Sequence, residues 1–234
     1  MSRPTTTLVQ ADIRRVVIHL PRDVQALLKE HSLFVAGGFI RSVISNEQPS
    51  DIDLFGADKD KLHEVALKLA LSRKARLHET ENAYTVLTPG RTPVQFIHRW
   101  LYSEPSQLLE EFDYTIARSV AWWHEDRWHS LCDACFYADL AARRLVYCKP
   151  VRQEDVGGSL MRARKFLSRG YFISATDLGL VVARLMSGVD LDRAQASRVD
   201  LEQIVIGLLH EVDPLTVVDG IDVADEHASV PVES

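Results

Sequence analysis

The sequence predicts an α+β protein: a short mixed β-sheet flanked by helices up to about residue 150, then a small helical part, then an acidic tail. Three observations predict it. Short apolar runs bounded by turn residues alternate with helical-period segments as far as Lys149-Pro150. Beyond that dipeptide only helical periodicity recurs. From Asp200 to Ser234 there are nine Asp/Glu and no Lys/Arg. The expected division is therefore 1–150, a helical domain over 151–219, and a flexible acidic tail over 220–234.

The elements follow in order. The first fifteen residues read as a short flexible lead without the apolar core of a signal peptide. Pro21 to His31 is a helix, with proline in its first turn and Val24, Leu27 and Leu28 on one face. Leu33 to Ala36 is a short buried strand ended by Gly37-Gly38, and Phe39 to Ser45 is a short helix. Asp51 to Phe55 alternates acidic and apolar residues, as a strand does. Lys59 to Ser72 repeats Leu62, Val65, Ala66, Leu69 and Ala70 at helical spacing. Strands are expected near 75–78, 83–87 and 94–98, the last two joined by a turn at Thr88-Pro89-Gly90-Arg91. Ser106 to Glu111 is a short helix, Tyr114 to Trp122 a strand, and Trp128 to Tyr137 more strand than helix. No strand is expected after Pro150; helices are expected at 160–168, 176–186 and 201–210.

The bulk properties exclude several classes. With 46% hydrophobic and 26% charged residues, and no apolar run of about eighteen, the chain reads as a globular protein without a membrane span. Three cysteines in no framework spacing suit a reducing cytosol, so a cytoplasmic location is expected. The net charge is −6, yet the first 199 residues carry 27 basic against 24 acidic side chains. Ala141 to Gly170 holds eight Lys/Arg and two acids, a local basic stretch suited to phosphates.

The chemistry concentrates in Phe34 to Phe55, FVAGGFIRSVISNEQPSDIDLF. Gly37 and Gly38 end a strand and open a helix, which lets backbone approach a phosphate closely. Asp51 and Asp53 stand two apart on the next strand, so alternation puts both carboxylates on one face. Such a pair repels itself unless a cation lies between, and Mg²⁺ takes one or two carboxylates with phosphate oxygens and water. Asp51 and Asp53 are the candidate catalytic and metal-holding residues. The matching chemistry is phosphoryl or nucleotidyl transfer from a nucleoside triphosphate, with Mg²⁺ or Mn²⁺.

These residues resemble the class II CCA-adding enzymes and bacterial poly(A) polymerases of the DNA polymerase beta superfamily. Their G-G-x-V-R-D…D-x-D motif stands here as Gly37-Gly38-Phe39-Ile40-Arg41-Ser42…Asp51-Ile52-Asp53. Three further segments look like the family's in order: Glu111-Phe112-Asp113-Tyr114-Thr115-Ile116-Ala117-Arg118, Asp139-Leu140…Leu145-Val146, and Arg162 to Phe172. The resemblance implies a nucleotidyltransferase head, a helical neck and two divalent ions at Asp51 and Asp53. It also implies Asp113 as a partner for a ribose hydroxyl. The departures are Ser42 for an aspartate, Glu111-Phe112 for two arginines, and Gln95 where a third carboxylate often stands. The base-selecting E-D-x-x-R element aligns with Asp155, Val156 and Ser159. The chain also ends soon after the neck. The expectation is thus a shortened, divergent relative, of the kind scattered among bacteria and phages.

Several residues keep two readings. Arg41 serves either a phosphate or Asp51. Asp113 binds a ribose, caps a strand or pairs with Arg118. Arg162, Lys165 and Arg169 share a helix face, either a solvated basic face or a triphosphate cradle. His124, His129, Cys132 and Cys135 have ligand-like spacing, but they fall around a core strand and no zinc is expected. Trp122, Trp123 and Trp128 are read as packing residues. Two functions remain: transfer of NMP to an acceptor, either an RNA 3′ end or a protein, or a nucleotide-binding or interaction module that kept the fold without catalysis.

Overall fold

A computed structural model of the chain describes residues 3–150, 156–189 and 198–210. The chain divides into two compact units, Met1–Ala142 and Arg143–Ser234. The acidic tail expected at 220–234 lies outside the described residues.

The first unit runs β1 (Thr5–Thr6), α1 (Gln10–His19), α2 (Arg22–His31), β2 (Phe34–Ala36), α3 (Gly38–Ile44), β3 (Ile52–Phe55) and α4 (Lys59–Arg73). It continues β4 (Arg76–Glu79), β5 (Ala83–Leu87), β6 (Val94–Ile97), α5 (Pro105–Glu110), a 3-10 turn (Thr115–Ala117), β7 (Ser119–His124), β8 (Arg127–Asp133) and α6 (Phe136–Ala141). The eight strands form one sheet in the order β1-β8-β7-β2-β3-β6-β5-β4. Every pairing is antiparallel except β3 with β6, so the sheet is mixed.

Helices cover both faces. α4 buries Leu62, Val65, Ala66, Leu69 and Ala70, with the Asp58 carboxylate capping its first turn by accepting from Lys61 N at 2.7 Å. It lies on the face that carries Tyr84, whose ring meets His63 of α4 at 4.7 Å. The opposite face holds an apolar cluster of Phe34, Ala36, Phe55 and Val120, packed with Tyr102 and with Leu108 and Leu109 of α5. Strands β7 and β8 close through a two-residue loop, Glu125-Asp126, both at positive φ, the loop geometry that suits the twist of a hairpin.

α2 is tied to α4 by the Asp23 carboxylate, which accepts from Arg73 Nε at 2.7 Å and Nη2 at 2.8 Å. That paired hydrogen bond holds Asp23 below its ordinary value of 3.8, aided by the charges of Arg73 and Arg91. A carboxyl depressed on folding stabilises above its unfolded value and loses that contribution as pH falls through its folded value. The urea midpoint of wild type should therefore exceed that of Asp23→Asn by a constant amount near neutral pH. The gap should close as pH is lowered below about 3.8; a gap that persists in acid would show that the pair is not its source.

Two sequence expectations need correction. Residues 3–15 are not a loose lead. Thr5 and Thr6 pair with Asp133 and Cys132, and α1 buries Ile13 and Val16. Tyr114 to Trp122 is not one strand: the 3-10 turn at Thr115–Ala117 precedes β7, and Thr115 Oγ1 donates to the buried Asp139 at 2.6 Å. Trp128 to Tyr137 is mainly strand, as expected: β8 runs as far as Asp133, and α6 begins only at Phe136.

The second unit contains β9 (Arg144–Leu145), α7 (Gly158–Ser168), β10 (Phe172–Ile173), α8 (Ala175–Ser187) and α9 (Arg198–His210). The three helices match the periodicity of the sequence. β10, parallel to β9, is the strand not expected after Pro150; two residues are too few for an alternating pattern, and backbone pairing alone defines it. Ser174 caps α8 by accepting from Asp177 N at 3.0 Å.

Candidate functional site

The topology brings the two halves of the motif to one end of the sheet. β2 and β3 are antiparallel, with Phe34 opposite Phe55 and Val35 opposite Leu54. Ala36 and the Gly37 turn after it therefore stand beside the start of β3, where Asp51 precedes the strand and Asp53 is its second residue. Asp51 is buried and Asp53 half-buried.

Gly37 has φ +72 and ψ −127, a conformation that only glycine adopts readily, and its N–H donates to Ser119 O at 2.9 Å. A Cβ there would stand 2.8 Å from Phe112 Cε1, whereas a Cβ at Gly38 would meet nothing within 4 Å. The first glycine thus serves the turn and the Phe112 ring; the second leaves open space. Phe112 also packs edge-on against Phe55, ring centroids 6.3 Å apart. Asp113, the next residue, is itself buried. Gly37→Ala should cost about 1–3 kcal/mol from backbone strain, plus the clash. In a Phe112→Ala background only the strain should remain, so urea unfolding of the four proteins should show a positive coupling between the two sites; additive losses would refute the contact.

Arg41 on α3 is 2% exposed; its Nη2 donates to Ser42 Oγ at 2.7 Å and lies 3.6 Å from Glu47 Oε2. Ser42, standing where the resembled motif has an aspartate, thus accepts from the arginine beside it, and Glu47 supplies a carboxylate. Arg118 is paired with Asp133, Nε to Oδ2 at 3.2 Å, and its Nη1 donates to Phe112 O at 3.3 Å. Asp133 was not among the residues singled out from sequence. It looks like the polar end of a strand, and only the fold shows Arg3 and Arg118 converging on it.

Gln95, on β6, is the register partner of Asp53 across the parallel pair. Asp51 and Asp53 bring two negative charges to this end of the sheet, enough for one divalent ion completed by phosphate and water oxygens. Among the described residues no group of three His, Cys, Asp or Glu is gathered to hold a metal. His129 and Cys132 lie on opposite faces of β8 by strand alternation, and burial pushes the Cys132 thiol up to about 12. Arg162 and Lys165 lie half-buried on α7 in the second unit. No described helix is long and apolar enough to cross a membrane.

Residues 8–143 match the model of the Gabija anti-defense 2 family. The chain belongs to the Gabija anti-defense 2 family. Its fold is also that of solved nucleotidyltransferases. A Thermotoga maritima CCA-adding enzyme complexed with tRNA superposes with a TM-score of 0.57 at 17% identity, over 92% of this chain and 56% of that one. A CCA-adding enzyme complexed with ATP gives 0.56 at 18%, over 92% and 55%. One complexed with CTP gives 0.56 at 16%, over 90% and 51%. This member of the family spans about half the length of the solved structures it matches. No curated protein sequence matches it. At these identities the likeness fixes the scaffold, a mixed sheet flanked by helices.

Proposed function

We propose that this anti-defense protein handles a nucleoside triphosphate at the sheet end bearing Gly37, Asp51 and Asp53, and transfers NMP to an acceptor, either an RNA 3′ end or a protein, so countering Gabija defence. The observation that carries this reading is the meeting of the glycine turn and the aspartate pair on adjacent strands of a nucleotidyltransferase scaffold. In it, Asp51 and Asp53 hold Mg²⁺ or Mn²⁺, with Gln95 as a neutral neighbour. When bound, the ion neutralises phosphate charge and charge developing on the leaving oxygen. Gly37 and Gly38 allow the backbone close to phosphate, and Gly38 has the room for it. Arg41 and Asp113 are the further candidates for nucleotide contact in the first unit; in the second unit, taken by itself, Arg162 and Lys165 are the candidates. The protein's contribution is positioning and fixed charge. The finer kinship to class II CCA-adding enzymes and poly(A) polymerases, the division into head, neck and tail, and a cytoplasmic setting belong to the same reading.

A second reading, nucleotide binding without transfer, is favoured by two features. Gln95 is uncharged beside Asp53, and the apolar Phe112 ring packs on the Gly37 turn. The test is incubation with each of four α-labelled NTPs, Mg²⁺ or Mn²⁺, and total RNA or host protein. In a host carrying Gabija defence, Asp51→Ala/Asp53→Ala should lose counter-defence if transfer is the mechanism and keep it if the scaffold acts by binding.

A further inference from the structure

The face of the sheet that carries Asp53 holds an unusual row. Asp53 is in register with Gln95, Gln95 with Thr85, and Thr85 with His78, so four polar residues form one line across β3, β6, β5 and β4 on the same face. At about 4.8 Å between strands the line is about 14 Å long. On the far side of Asp53 the same face turns apolar, with Ala36, Val120 and Leu131 beneath α5. α4 lies on the reverse face, against Tyr84.

Beyond Asp53, the row is polar without hydrogen-bond partners among the described residues. Gln95 Nε2, Thr85 Oγ1 and His78 Nε2 are buried and have no hydrogen-bond partner among the described residues. Thr85 is 0% exposed and Gln95 1%. Native interiors hold few such groups, and each raises the free energy of the folded protein. Packing alone would favour apolar side chains here, as it does at Val86, Val94 and Phe96 on the reverse face. Three orphaned groups in consecutive register positions, ending at a carboxylate, are the mark of a site whose partner comes from outside the chain.

We propose that Gln95, Thr85 and His78 form a binding site for a nucleoside moiety, the ribose hydroxyls and base edge of a nucleotide. The row holds no Lys or Arg, which excludes a phosphate as its ligand. It offers an amide, a hydroxyl and an imidazole, groups that both donate and accept, as sugar hydroxyls and base edges require. A glutamine amide matches the paired donor and acceptor of an adenine edge. The inference rests on the reading that phosphates sit by Asp51 and Asp53, and it assigns the neighbouring polar line to the uncharged part of the same ligand or of the acceptor's terminal nucleotide.

Thr85→Val and Gln95→Met are near-isosteric and remove one orphaned group each. The probes are adenosine, ATP with Mg²⁺, inorganic triphosphate with Mg²⁺, and a short single-stranded RNA, each titrated calorimetrically. Both variants should melt at or above the wild-type temperature and bind adenosine about tenfold more weakly, with triphosphate binding unchanged. If ATP weakens in parallel while RNA does not, the nucleoside is that of the nucleotide; if RNA weakens while ATP does not, it is that of the acceptor. Unchanged adenosine, ATP and RNA affinities, with a lowered melting temperature, would overturn the proposal and leave the row hydrogen-bonded to buried water. Loss of triphosphate binding in Asp51→Ala/Asp53→Ala tests the phosphate reading separately, so either can fail without the other.

Discussion

Asp53→Ala is expected to abolish transfer of label from α-labelled NTP, lowering the rate by about three orders of magnitude while the protein stays folded. The size follows from the several kcal/mol by which a divalent ion stabilises developing phosphate charge, at 1.36 kcal/mol per tenfold in rate. Folding should survive for a local reason. Asp53 is half-buried at the start of β3 rather than in the apolar core. Its removal takes no apolar side chain from the core, so the protein should stay folded. The matching change Asp51→Ala should behave alike, and the double variant should be no worse than either, because the two carboxylates act as one unit. Wild-type rates in the variants, measured with the same NTP and acceptor, would remove Asp51 and Asp53 from the mechanism. NTP binding with no transfer in wild type would establish the binding module instead.

Asp133→Ala should destabilise the first unit by about 3–5 kcal/mol. Asp133 is 0% exposed and accepts from Arg3 Nε at 2.8 Å, faces Arg118 Nε at 3.2 Å, and accepts from Cys135 N at 2.9 Å. It thereby joins the end of β8 to the residue before β7, to the N-terminal segment and to the start of α6. Its removal leaves the Arg118 guanidinium, 3% exposed, as a buried charge without its counter-ion. The melting temperature should fall by about 10 °C or more. Asp133→Ala/Arg118→Met should recover part of the loss, since the cost lies mainly in the stranded charge. A loss below about 1 kcal/mol in urea unfolding, or no recovery in the double variant, would show that the network contributes little.

The contrast between these two residues shows what reading the chain alone achieves. Asp51 and Asp53 were legible because their signal is local: two carboxylates at strand spacing after a glycine turn. Asp133 was not, because its partners lie 15 and 130 residues away. The long helix α4 was legible from its period, since it buries one continuous face, and β4, β5 and β6 were legible as short runs between turn residues. The break between β8 and α6 was not, because Asp133 and Cys135 sit inside an apolar stretch whose pattern fits either element. The N-terminal segment looked like a lead because its strand is two residues long; pairing with β8 and burial of Leu8 hold it in place.

The sequence by itself determined the alternation of short strands and helices, the helical character of the second unit, and the glycine turn with its aspartate pair. Each is a property of neighbouring residues, set by backbone sterics and by the 2.0 and 3.6 periods of burial. Tertiary structure alone decided that Gly37 accommodates Phe112, that Arg41 turns to Ser42 and Glu47, and that Asp133 gathers two arginines. It also decided that Gln95, Thr85 and His78 align beside Asp53. These depend on strand order and register, which long-range burial of the apolar faces selects and no local pattern encodes.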